Sequence, residues 1–102
     1  MIAFRPSPTG TVRISASTSS SNVKLAGSVE QVYVQNSGSA DAFVEFGDSS
    51  VTATVPSGAT AGSMRVKAGQ TTVLTPKVNA THAAAITSSG TTTIELSSGA
   101  GL

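Results

Sequence analysis

The sequence predicts an all-β chain folded as an antiparallel β-sandwich or barrel of seven to eight short strands. Two observations predict it. Apolar side chains recur with period two along most of the chain, in short runs rich in Val, Ile and Thr. Clusters of Gly, Ser, Asn and Pro punctuate those runs at near-regular spacing, and no repeat or long linker divides them. One domain is therefore expected over residues 11–102, preceded by an extended arm at residues 1–10.

Residues 1–10 contain Pro6, Pro8 and Gly10. Proline lacks the donor that a sheet ladder needs, so this stretch reads as an extended arm or a frayed end. As an arm it would lie over a neighbouring subunit, with Ile2 and Phe4 as anchors. Thr11–Ser17 alternates, with Val12, Ile14 and Ala16 inward. Ser17–Asn22 is a loop by composition, and Val23 and Leu25 form a short strand stopped at Gly27.

Val32–Phe46 is the centre of the pattern. Val32 and Val34 share one face, with Gln31, Tyr33 and Gln35 on the other. After the polar stretch Asn36–Asp41, Ala42, Val44 and Phe46 share a face, opposed by Phe43 and Glu45. The two runs read as a hairpin that sets Val34 opposite Val44 and Val32 opposite Phe46, all four facing one core. Gly47–Ser50 is a turn, Val51–Val55 a short strand ended by Pro56, and Ser57–Ser63 a flexible loop. Met64–Ala68 and Thr71–Thr75 read as a second hairpin around Gly69-Gln70, pairing Val66 with Val73. His82–Thr87 and Thr92–Leu96 read as a third, around Ser88-Ser89-Gly90. It places His82, Ala84 and Ile86 on the inward face with Thr92, Ile94 and Leu96. His82–Ile86 is too short for a helix, and β-branched Ile86 and Thr87 favour a strand. Ser97–Leu102 reads as a Gly-rich tail.

Composition narrows the functional classes. There is no Cys and no Trp, with one Tyr and three Phe, so the core must come from Val, Ile, Leu and Ala. Charged residues make up 11% of the chain, against roughly 25% in an average soluble domain. A net charge of +1 gives no electrostatic case for nucleic acid. No run approaches the roughly 20 apolar residues of a membrane helix, and Arg5 and Pro6 interrupt any signal-peptide core. So weakly charged a surface is poorly protected against association, which fits a face covered in an assembly.

No catalytic constellation emerges. Gly47-Asp48-Ser49 has the look of a nucleophile turn, but a hydrolase also needs a histidine base and an oxyanion hole. His82 is the lone histidine, placed toward the core by its parity with Ile86. Asp48 reads instead as a turn residue that caps backbone donors. Glu30, Asp41, Glu45, Asp48 and Glu95 show no calcium-loop spacing. No cofactor, metal site or enzymatic activity is expected. The residues singled out for contact with a partner are Ile2, Phe4 and Arg5 in the arm, Tyr33 and Phe43 on the outer face of the central hairpin, and Arg65 and Lys67 projecting together from one strand. Two aromatics on an outer face call for a cover, either the arm or another subunit.

Three stretches together carry a resemblance: VYVQNSGSADAFVEFGDSSVTATV (Val32–Val55), MRVKAGQTTVL (Met64–Leu74) and THAAAITSSGTTTIELSSGAG (Thr81–Gly101). They resemble small all-β proteins encoded among the virion genes of tailed bacteriophages. The resemblance spans about the last two-thirds of the chain. It implies a virion structural protein, foremost a capsid cement (decoration) protein, jelly-roll-like and trimeric, whose partners are copies of itself and the major capsid protein on the virion surface. A head–tail connector, collar or tail accessory is the alternative it leaves. A carbohydrate-binding surface domain fits less well, since few aromatics are available for sugar stacking.

Overall fold

A computed structural model describes residues 5–26, 29–76 and 78–100. Among them are eight strands and no helix: β1 (Arg5–Ala16), β2 (Ser21–Lys24), β3 (Gln31–Asn36), β4 (Ala42–Gly47), β5 (Met64–Val66), β6 (Thr71–Leu74), β7 (His82–Thr87) and β8 (Thr92–Ala100). They form two antiparallel four-stranded sheets packed as a β-sandwich. Sheet A has the order β1-β8-β3-β6 and sheet B the order β2-β7-β4-β5. The pairs β1–β8, β2–β7, β3–β6 and β4–β5 are nested: the chain runs out through four strands and returns beside itself through the other four. Rolling this double ribbon adds the contacts β8–β3 and β7–β4, which complete the sheets.

None of the three expected hairpins forms. β3 lies in sheet A and β4 in sheet B; β5 and β6 part in the same way, as do β7 and β8. Alternation fixes which side chains face inward, but a hairpin and a crossing between facing sheets satisfy it equally. Val32, Val34, Ala42 and Val44 are all buried in the core, contributed from opposite layers. The crossings carry their own chemistry. The Gln70 N–H donates to the Lys67 carbonyl at 2.9 Å. Gly69 is thus the third residue of that turn, not the first central one, and its φ of +78° is the conformation glycine tolerates.

β7 runs opposite to expectation. Ala83, Ala85 and Thr87 face the core, opposite Phe46, Val44 and Ala42 of β4, and His82, Ala84 and Ile86 face outward. The parity was unreadable because both faces are covered: Ala83, Ala84 and Ala85 are all fully buried. Val51–Val55, expected as a strand, joins no sheet. Segment 48–63 instead straps the outer face of sheet B. The Asn22 side-chain amide donates to the Ser49 and Val51 carbonyls at 3.1 and 3.3 Å. The Ala53 N–H donates to Ser20 Oγ at 2.8 Å. Ser63 Oγ accepts from the Thr54 N–H at 3.0 Å and donates to Glu45 Oε1 at 2.9 Å. Ala84 lies between Asn22 and Glu45 in the same row, beneath these anchors.

The described residues nearest the two ends are more structured than the sequence suggests. Arg5 and Pro6 pair with Ala100 and Gly99, and the register shifts before Thr11. Residues 5–10, expected in an extended arm or frayed end, are extended and belong to β1, while residues 97–100 of the expected tail belong to β8. Ile2 and Phe4 lie outside the described residues.

One buried polar residue ties the rolled end together. Asn36 is fully buried. Its Nδ2 donates to the Ala40 and Val66 carbonyls at 2.8 and 3.0 Å. Its Oδ1 accepts from Thr92 Oγ1 at 2.6 Å and from the Gly38 N–H at 3.2 Å. One amide therefore links β3, β8 and β5 with the β3–β4 crossing, and all four of its hydrogen-bonding positions are used. Gly38 has no room for a side chain, since a Cβ there would lie 2.9 Å from Thr92 Cα.

Candidate functional site

The structure separates the residues expected to act together. Tyr33 stands on the outer face of sheet A, 37% exposed. Its row reads Thr11, Ser97, Tyr33, Val73 across β1, β8, β3 and β6. Thr11 and Ser97 share a hydroxyl hydrogen bond of 2.8 Å. The neighbouring row reads Arg13, Glu95, Gln35, Thr71, and holds the Arg13 Nε–Glu95 Oε2 ion pair at 2.7 Å. This face is hydroxyl-rich and uncovered by any described segment. Its ion pair is exposed on the arginine side, so it contributes at most about 1 kcal/mol.

Phe43 does not share that face, which corrects the expectation of an exposed aromatic pair. It belongs to the other sheet, opposite Ile86 and Arg65, and is only 2% exposed. The Arg65 guanidinium stands 5.1 Å from its ring centroid, and Nη1 lies 3.8 Å from Asp41 Oδ2. Arg65 is thus engaged as a lid on an aromatic ring. Lys67 is exposed at the turn into β6, where its N–H donates to Gln70 Oε1 at 2.8 Å. Arg5 is exposed at the start of β1. These side chains do not converge on one site.

The residues considered for chemistry have local partners. Asp48 Oδ1 accepts from the Ser50 N–H at 2.9 Å and from Ser50 Oγ at 2.7 Å, the turn-capping role expected for it. His82 pairs with Gly47 across the sheet, and its Nδ1 lies 2.8 Å from Thr81 Oγ1. Among the described residues no three His, Asp or Glu side chains are grouped to hold a metal ion.

A second surface emerges that the sequence did not single out. Between the edge strands β5 and β6 the sandwich is open. A cavity of about 290 Å³ lies there, lined by Val44, Glu45, Phe46, Gly62, Met64, Leu74 and Thr75. β5 pairs with β4 only at Ala42, Phe43 and Val44, so the ladder ends before Phe46 and leaves the mouth. Met64 is half exposed at its rim. No signal in the sequence marks it, since Met64–Ala68 reads there as a full strand and the structure shortens it to Met64–Val66.

No protein-family model, curated protein or solved structure matches the chain.

Proposed function

We propose that the chain is a non-enzymatic structural protein of a tailed-bacteriophage virion, made in the host cytoplasm and placed on the capsid surface as a cement protein. In this reading it associates as a homotrimer, bridges major capsid protein subunits and takes no cofactor. The observation that carries the reading is the nested pairing of β1–β8, β2–β7, β3–β6 and β4–β5. That order is the one expected of a jelly roll, the architecture that the resemblance of Val32–Val55, Met64–Leu74 and Thr81–Gly101 implies. The uncovered face around Tyr33 supports it as a contact surface of few charges. A shell offers many equivalent copies of each contact, so a weak one summed by multivalency suffices.

The test is sedimentation with empty mature capsids of the encoding phage, counting bound copies per coat subunit. Saturable binding at many copies per shell is expected. It should fall sharply in a Tyr33→Ser, Val73→Ser variant, which alters only the open face. Absence of binding to intact shells would reject the cement role.

A further inference from the structure

We propose that the β6 edge and the cavity beside it form a strand-addition site, whose occupant is the Met1–Phe4 segment of a second copy of this chain. The sandwich has four edge strands, and three of them carry a protective device. β1 has Pro6, Pro8, Arg5, Arg13 and a register shift. β2 carries Lys24 and β5 carries Arg65. β6, Thr71-Thr72-Val73-Leu74, has no charge, no proline and a regular ladder to β3. Its outer backbone edge can accept a further strand.

The cavity supplies what such a strand would need for specificity. In strand addition, main-chain hydrogen bonds give affinity and pockets for alternate side chains give selectivity. Leu74 belongs both to the β6 edge and to the cavity wall, beside Val44, Phe46 and Met64. A strand laid along β6 would therefore turn every second side chain toward a pocket large enough for a leucine or phenylalanine, walled by Val44, Phe46, Met64 and Leu74 with Glu45 and Thr75 among its lining.

Outside the described residues, Met1–Phe4 alone fits that requirement: Ile2 and Phe4 are bulky and apolar, two residues apart on one face, with no charge between them. The donor must be another copy. Arg5 starts β1, at the opposite edge of sheet A from β6, three strand spacings or about 14 Å away. Ile2 precedes Arg5 by three residues and can stand only about 10 Å from it. The segment cannot cross its own sheet and still lie along its own β6. A second copy is free of this limit, and donation from each copy to the next is a heterologous contact, which builds a ring where its rotation closes and a filament where it does not. The inference stands without the virion reading.

The chain has no native Cys, which makes the test direct. A Phe4→Cys chain is mixed with a Met64→Cys chain under mild oxidation, with Phe4→Cys plus Thr18→Cys as the control pair; Met64 and Thr18 are both exposed enough to be replaced without loss of fold. The expected result is a Phe4–Met64 heterodimer at least tenfold above the control. Light scattering of the full chain should show a mass above the monomer that returns to the monomer in Ile2→Asp, Phe4→Asp. Cross-linking no better than the control would overturn the proposal. So would an unchanged mass in the double variant, or efficient cross-linking within a single Phe4→Cys, Met64→Cys chain.

Discussion

At the scale of the residue, Asn36 decides more than its neighbours. In the sequence it opens a polar turn; in the structure it is a buried amide whose four bonds hold the crossing in place. Replacing it with Ala strands two carbonyls, a hydroxyl and an N–H in the interior, at a cost of about 3 kcal/mol. Asn36→Asp gives a sharper result. A carboxylate cannot donate to Ala40 and Val66 and is penalised by burial, so its folded pKa rises above the unfolded value of about 3.9. The penalty is small below that value and grows as pH climbs above it. Denaturant midpoints of the variant should therefore approach wild type near pH 4 and fall well below it at pH 7. Ser98 shows the converse. Its hydroxyl is fully buried without a hydrogen-bond partner among the described residues. Ser98→Ala should raise stability by about 1 kcal/mol, read as an increase of a few degrees in Tm.

At the scale of the element, the strap over sheet B explains why some of the sequence was legible and some was not. Strands with one wet face and one dry face, such as Gln31–Asn36 and Thr92–Leu96, announce their orientation through polar alternation. The middles of β4 and β7 are buried on both faces, at Ala42-Phe43-Val44 and Ala83-Ala84-Ala85, so no polar residue there marks which face is covered. The reversed face of His82 and the burial of Phe43, whose parity was read correctly, follow from that cover, while the separation of Phe43 from Tyr33 follows from the missing hairpin. Strand partners were illegible for another reason: inward parity is identical for a hairpin and for a crossing between layers. The anchors of the strap are few and polar. Ser63→Ala removes the acceptor of the Thr54 N–H and the donor to Glu45, and should cost about 1–2 kcal/mol. Amide exchange at Ala53 and Thr54 should accelerate while β3 and β8 stay protected, and limited proteolysis should cut within the exposed residues 56–62. Equal acceleration in all strands would mean that the strap is not a separate unit.

At the scale of the whole molecule, the nested ribbon sets the folding problem. β1 cannot complete its ladder until β8 arrives from the far end of the chain, and β2 waits for β7 in the same way. Only β4 and β5 are paired neighbours in sequence, and the 48–63 segment separates even those. Loop closure must therefore be paid for before the long-range contacts form, and refolding is expected on the millisecond-to-second scale of non-local β proteins. Stopped-flow fluorescence of Tyr33 provides the measurement; relaxation in microseconds would contradict the topology.

The ladder between the first and last strands has a mechanical consequence. Arg5 and Ala100 are direct partners at one extremity of the β1–β8 pair. Force applied at these two residues pulls across the strands and peels the bonds apart singly, as a zipper opens. The same fold gripped at Arg5 and Thr92, on partner strands at opposite extremities of the ladder, would be loaded parallel to the strands, with its bonds sharing the force in shear. The protein should thus open under weak tension between Arg5 and Ala100 yet resist far more between Arg5 and Thr92.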